Sequence, residues 1–364
     1  MTDVLMFIED PGAANFMVPV IPALHARGLS AAVRVTGAAA VYISGGGIAD
    51  VCEPEGDADA MIAAIQPRIV LTGTSENMQS LGFSLTLAAR KRGLPTVAMV
   101  DGPSNAALRF RGDADHALAF APDLILVPDA ATAASFVALG HPNTGVIVCG
   151  HPHYDWVRAR ADEFEREGRQ AVRNRVFGDI PADARVVVFA AEVSTGLIPA
   201  QYRRSGEYTL HGAGRNDFRS EIVIEELLDA LALLAPKPYA VLRLHPKNTQ
   251  EELAQFHGRF DAVSEGGSAL DLVFAADAVV GMTSILLAEA AIVGRPVLAI
   301  LPRPMEYEWL PSIVRGQIPF ATTRVQVQEG IAALLSHRID AGVATIAFEP
   351  NAATHAADIV ASRL

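Results

Sequence analysis

The sequence predicts an α/β protein with two doubly wound, Rossmann-like parallel sheets, and three observations predict it. Short apolar runs rich in β-branched residues alternate with longer Ala/Leu segments of helical period, the pattern of βαβ units. The runs are apolar almost throughout, as strands covered on both faces must be. The alternation stops at a charged segment, Arg158 to Arg175, and then restarts, in a chain whose 364 residues suffice for two cores.

In chain order, the first half predicts strands at Val4–Ile8, Ala31–Val35, Ile69–Thr72, Thr96–Val100, Leu124–Val127 and Gly145–Cys149, with helices near 15–27, 58–65, 77–92 and 130–139. The second half predicts strands at Val186–Ala190, Ala240–Leu244, Ala278–Val280 and Val297–Ile300, with helices near 160–175, 219–234, 249–257, 284–293 and 325–336. The composition shift after Gly150-His151-Pro152-His153-Tyr154-Asp155-Trp156 sets the boundary: residues 1–157 form one domain and 158–364 the other, the last helix being free to pack back on the first. Gly45-Gly46-Gly47 reads as a flexible loop.

Composition excludes several classes. Apolar residues make up 51% of the chain, too many for intrinsic disorder. A net charge of −12 opposes a non-specific grip on nucleic acid, so any anionic ligand must be held locally. Cys52 and Cys149 show no CxxC spacing, which excludes a zinc knuckle and fits a reducing cytoplasm. The first residues lack the basic flank of a signal peptide, and the apolar stretch from Leu270 to Pro302 is broken by Asp271, Asp277, Glu289 and Arg295, so no transmembrane segment is expected.

In doubly wound sheets ligands bind beyond the carboxyl ends of the strands, so the residues after each strand carry the functional expectation. After the first strand, Glu9-Asp10-Pro11-Gly12 turns into a helix; Gly12 lets backbone approach a ligand, and Asp10 is either a base or a plain helix cap. Thr72-Gly73-Thr74-Ser75-Glu76-Asn77 suits sugar or phosphate hydroxyls but is equally ordinary capping chemistry. Asp101-Gly102-Pro103 places a carboxylate at a strand end, where it can serve as a general base.

In the second half, Arg243-Leu244-His245-Pro246-Lys247 closes a strand with three side chains able to donate charge-assisted hydrogen bonds, which reads as an anion site. Gly281-Met282-Thr283-Ser284 supplies amide and hydroxyl donors at a helix start, suited to a phosphate. Glu289 lies in that nearly all-apolar helix, where a carboxylate needs a partner such as ribose hydroxyls. Gln201-Tyr202-Arg203-Arg204 to His211-Gly212-Ala213-Gly214-Arg215 reads as a long basic loop able to cover an anion, and Ser194-Thr195-Gly196 as a cap or phosphate contact. His151 and His153 alternate as ligands do, yet no Asp, Glu or Cys cluster accompanies them, so no metal is expected. No GxSxG elbow, Walker A loop or HExxH occurs.

Two such halves, with Gly150-His151-Pro152-His153-Tyr154-Asp155 between them and Glu289-Ala290-Ala291-Ile292-Val293-Gly294-Arg295-Pro296-Val297 in the second, resemble GT-B fold glycosyltransferases over the whole chain. The motifs are shared with non-hydrolysing UDP-GlcNAc 2-epimerases and the CDP-glycerol glycerophosphotransferase group. Asp101-Gly102, His245-Pro246 and Thr283-Ser284 are similar to the base, nucleotide and phosphate motifs of bacterial sialyl- and Kdo-type transferases that use CMP-sugars. The chain departs from that group in having one carboxylate at the base motif, with Asp10 as its rival, and it lacks the His-Arg-Arg-Glu-Asn signature of the epimerases.

The resemblance implies two domains facing across a cleft, with a hinge near Gly150–Trp156, and a metal-independent transfer needing no cofactor. A nucleotide-activated sugar, CMP-linked by preference and UDP-linked as the alternative, would sit on the second domain. Asp101 or Asp10 would deprotonate a hydroxyl on a glycan, lipid-linked or protein acceptor, and His245 with the Thr283 helix start would stabilise the departing phosphate. Epimerisation or hydrolysis of a nucleotide sugar, or non-catalytic binding of one, are the rival expectations; the oligomeric state is left open.

Overall fold

The computed structural model describes residues 2–44, 51–75, 77–178, 180–181, 183–196, 198–249, 251–336 and 346–364. The Gly45–Gly47 triplet and Glu76, singled out above, lie outside the described residues. Two compact units divide the chain: Met1–Trp156 with Phe348–Leu364, and Val157–Ala347.

The first unit carries β1 (Thr2–Ile8), α1 (Pro11–Met17), α2 (Val20–His25), β2 (Ala31–Val35), α3 (Gly37–Ser44), β3 (Val51–Cys52), α4 (Ala58–Ile65), β4 (Pro67–Gly73), α5 (Leu81–Lys91), β5 (Thr96–Met99), β6 (Leu124–Val127), α6 (Ala130–Ala138) and β7 (Val146–Val148). Its strands order as β3-β2-β1-β4-β5-β6-β7, all parallel, with Val4 of β1 in register with Ala31 on one side and Ile69 on the other. Alternate residues of β1 feed opposite faces. Val4, Met6 and Ile8 join Phe16, Leu24 and Val360, whereas Leu5 and Phe7 pack with Met61 and Leu85. That two-sided burial is why the run lacks polar alternation.

The second unit is entered along α7 (Pro152–Glu167) and carries α8 (Arg169–Phe177), β8 (Val186–Ala190), α9 (Arg219–Ala232), β9 (Tyr239–Arg243), α10 (Ala254–His257), β10 (Ala262–Ser264), α11 (Ala269–Ala275), β11 (Ala278–Gly281), α12 (Ile285–Ile292), β12 (Val297–Ile300), α13 (Pro311–Val314), β13 (Phe320–Ala321) and α14 (Arg324–Leu335). The order β10-β9-β8-β11-β12-β13 is again parallel throughout. The final helix α15 (Ala352–Ala361) returns to the first unit. There Arg27 donates to Asp358 Oδ1 at 2.7 Å and to the Thr354 carbonyl at 3.0 Å.

The two parallel sheets with interleaved helices are those the sequence predicts; the differences lie in punctuation. The expected helix 15–27 begins earlier, at Pro11, and is two helices, because Pro19 and Pro22 lack the N–H groups that would continue the ladder. The expected helix 160–175 starts at Pro152 and breaks at Gly168, whose φ of 85° is left-handed. The segment 249–257 is helical only over Ala254–His257. The two- and three-residue strands β3, β10 and β13 leave too short a run for periodicity to register.

Candidate functional site

Each sheet has a topological switch point, between β1 and β4 in the first unit and between β8 and β11 in the second, and the sequence-predicted residues gather at both. In the first unit, Asp101 follows β5 and reaches back over the start of α1: a Cβ on Gly12 would collide with Asp101 Oδ2. Glycine is therefore needed at 12 for close approach of a carboxylate. Arg109 pairs with Asp101, Nη2 to Oδ1 at 3.3 Å, and donates to Thr74 Oγ1 at 3.2 Å and the Ser104 carbonyl at 3.1 Å. The loops after β4 and β5 are thus tied through one guanidinium.

Asp10 stands at the N-cap of α1, but its side chain makes no capping hydrogen bond, so the plain-cap reading is not realised. Glu9 is engaged instead in loop structure, accepting from Asn77 Nδ2 at 2.7 Å and Ser80 Oγ at 2.6 Å. Thr72, Thr74 and Ser75 are buried, and Ser75 Oγ accepts from the Asn77 amide, so this hydroxyl loop follows the capping alternative.

The second unit's carboxyl edge holds a network that the sequence reading missed. Glu192, two residues beyond β8, accepts from the Thr283 N–H and from Thr283 Oγ1 at 3.2 Å, and its Oε2 takes Arg219 Nη1 at 2.6 Å. Arg219, on the first turn of α9 and only 3% exposed, also donates through Nε to Glu306 Oε2 at 2.7 Å, while Arg303 Nε donates to Glu306 Oε1 at 2.6 Å. Trp309 lies 5.2 Å from both guanidinium carbons. Burial opposes the charge on Arg219, but Glu306 and Glu192 outweigh it and raise its pKa above the ordinary arginine value. Asn248 extends the network to β9: it accepts from the His245 amide at 2.8 Å and donates to the Glu192 carbonyl at 3.3 Å.

Several expectations change accordingly. Arg243 is buried and directs its terminal nitrogens to Ser264 Oγ at 2.9 Å and to the carbonyls of Gly266 and Gly267, holding the turn after β10. Ser284 caps α12, its Oγ accepting from the Leu286 amide at 3.2 Å. Thr283 gives both its donors to Glu192. His245 remains half-buried, with Nδ1 accepting from the Lys247 amide at 3.1 Å; a neutral ring in that geometry carries its proton on Nε2. Pro246 is exposed, Lys247 half-buried, and Glu289 buried on α12. Gly281 ends β11 with room for a Cβ only at 3.4 Å from Ala190 and Leu287, so it packs strand against helix.

The long loop after residue 200 is pinned at several points. Arg204 donates to the carbonyls of His211 at 3.0 Å and Asn216 at 2.7 Å, and two α9 carboxylates, Glu226 and Glu225, accept from the amides of Gly212 at 2.8 Å and Ala213 at 2.7 Å. His151 and His153 are packed as aromatics, stacked on Tyr154 at 4.1 Å and on Trp156 at 5.2 Å. Among the described residues, no group of three or more His, Cys, Asp or Glu side chains is arranged to hold a metal ion, and no helix is long and apolar enough to cross a membrane.

No family profile matches the chain, and no curated protein matches it by sequence. Solved structures do share its fold. UDP-GlcNAc 2-epimerase from Methanocaldococcus jannaschii, solved with UDP-GlcNAc and UDP, superposes with a TM-score of 0.69 at 11% identity over 99% of this chain and 100% of that one. The UDP-GlcNAc 2-epimerase from Neisseria meningitidis bound to UDP-GlcNAc gives 0.66 at 16% identity, covering 99% of each chain. HepE from Anabaena with UDP-glucose gives 0.57 at 15% identity, over 99% of this chain and 95% of that one. At these identities the likeness is one of fold, the two-domain Rossmann-like architecture shared with GT-B proteins.

Proposed function

We propose that the protein is an enzyme that binds a nucleotide sugar at the carboxyl edge of the second unit's sheet and transfers the sugar to a hydroxyl acceptor. The observation that carries this reading is the seat of Glu192: at the switch point, two donors of Thr283 and the Arg219 guanidinium already converge on one carboxylate. Preorganised donors aimed at negative charge are what the phosphate of a nucleotide sugar and its departing charge require. In this reading the phosphates exchange with Glu192 for the Thr283 donors, His245 donates from Nε2, and Lys247 adds charge. Glu289 takes ribose hydroxyls, while Arg243, Pro246, Gly281 and Ser284 shape the loops. In the first unit Asp101, held by Arg109 above Gly12, takes the acceptor proton, with Asp10 as the alternative base.

The named ligands of the structural neighbours support a UDP-sugar, and the short sequence motifs support a CMP-sugar. A second reading, epimerisation of the nucleotide sugar, is supported by the names of several structural neighbours. It is opposed by the lack of a His-Arg-Arg-Glu-Asn run in this chain. Calorimetric titration with UDP-GlcNAc, UDP-glucose and CMP-sialic acid, followed by product analysis with and without a hydroxyl acceptor, separates the readings. Asp101→Asn is expected to lower turnover at least about 100-fold while leaving donor affinity unchanged. The reading is wrong if no nucleotide sugar binds, or if Asp101→Asn and Asp10→Asn both keep normal turnover.

A further inference from the structure

At the opposite, amino-terminal edge of the second unit's sheet lies a cavity of about 150 Å³, lined by Arg169, Arg185, Asp277, Arg295, Pro296 and the end of α14 at Leu334–Ser336. The volume far exceeds the roughly 10–15 Å³ that one water needs. Asp277 precedes β11 and Thr283 follows it, so about 13 Å of strand separates this cavity from the edge discussed above.

Three guanidinium groups, those of Arg169, Arg185 and Arg295, line the cavity beside one carboxylate, Asp277, and that carboxylate is already shared. Arg169 Nη2 donates to Asp277 Oδ1 at 2.7 Å, Arg173 Nη1 to Oδ2 at 3.0 Å, and the Val186 amide to Oδ2 at 2.7 Å. The Nε atoms of Arg169 and Arg295 are buried and have no hydrogen-bond partner among the described residues. Buried donors without acceptors, beside more guanidinium groups than carboxylates, suit an anion.

We infer that this cavity is a binding site for a phosphate-sized oxyanion, separate from the nucleotide-sugar locus at the other end of the sheet. Arg295 and Arg169 grip its oxygens, and Leu334, Leu335 and Pro296 offer an apolar wall to whatever carbon the phosphate carries. Burial, with Arg169 beside it, pushes the Arg295 guanidinium down to about 10, and a bound anion offsets both causes.

The test is calorimetric titration of the full chain with inorganic phosphate at low ionic strength, repeated with glycerol 3-phosphate. The wild type is expected to bind one phosphate that Arg295→Met weakens about 10-fold to 100-fold, the loss of a charge-assisted donor, whereas Thr283→Val leaves that binding intact. Arg169→Met, which removes the other unpartnered Nε donor, serves as the second variant should Arg295→Met fail to fold by circular dichroism. Tighter binding of the ester assigns the site to a phosphate monoester, and equal binding assigns it to free phosphate. No phosphate binding up to about 10 mM, equivalent to less than roughly 3 kcal/mol, overturns the inference. So does unchanged affinity in the folded arginine variant.

Discussion

Replacing Glu306 by Gln keeps the volume of a side chain that is fully buried between Arg219 and Arg303, but removes its charge. The native network is neutral, two guanidiniums against Glu192 and Glu306; the variant leaves one buried positive charge uncompensated. Breaking a buried pair from one side costs about 3–5 kcal/mol. A folding unit the length of Val157–Ala347 gains roughly 0.4 kcal/mol/K of entropy on melting, so that cost corresponds to about 7–13 °C. Differential scanning calorimetry of the full chain should show the loss in the transition of the second unit. Glu308→Gln, an exposed neighbour, should change stability by less than about 0.5 kcal/mol. An Arg219→Met, Arg303→Met, Glu306→Leu, Glu192→Gln quadruple variant should recover most of the loss, since removing all four charges together leaves none orphaned. A shift below about 2 °C for Glu306→Gln would refute the view that these charges are desolvated and mutually dependent.

Gly12→Ala separates stability from chemistry: alanine is the better helix former by about 1 kcal/mol, yet its Cβ must displace the Asp101 carboxylate. Turnover is expected to fall about 100-fold with no drop in melting temperature, and unchanged turnover would remove Asp101 from the reacting centre. At Asp277, burial works to raise the pKa, but the Val186 amide, Arg169 and Arg173 prevail and hold it below the usual carboxylate range. A depressed folded pKa contributes stability above the unfolded value and loses it as pH falls through the folded one. Asp277→Asn should therefore cost about 1.5–3 kcal/mol at neutral pH, with the gap from wild type closing as the solution is acidified below about pH 4. A gap that does not vary with pH would mean that Asp277 acts through shape alone.

The strands were legible because burial on both faces writes an uninterrupted apolar run, and in a doubly wound sheet the run also points to its functional end. That logic found Asp101, Gly12, His245 and Thr283 as residues of strand-end loops. It passed over Arg109, eight residues beyond Asp101, because nothing in the sequence shows that the intervening loop doubles back. It passed over Glu192 for a different reason: attention to hydroxyls in Ser194-Thr195-Gly196 hid the carboxylate that follows β8 at the same sheet edge. Arg219 and Glu306 lie 87 residues apart, and their pairing depends on tertiary packing that periodicity does not encode. Arg243 shows what periodicity leaves out, for a cation at a strand end also holds the Ser264 hydroxyl and the carbonyls of the turn after β10.

The two ends of the second sheet handle charge in opposite ways, and this bears on how each would select a ligand. At the carboxyl edge every described cation of the Arg219 network has a carboxylate, so an incoming phosphate must compete with Glu192 for Thr283. Competition of that kind weakens any anion that offers only charge and favours one that also brings a base and a sugar to neighbouring loops. At the amino edge the single carboxylate is outnumbered, and an oxyanion meets unsatisfied donors with no rival to displace. Selectivity is therefore expected at the first locus and simple charge recognition at the second. Raising the salt concentration should accordingly weaken phosphate binding at the Arg295 cavity more than nucleotide-sugar binding at the Glu192 locus, because only the former depends on charge alone.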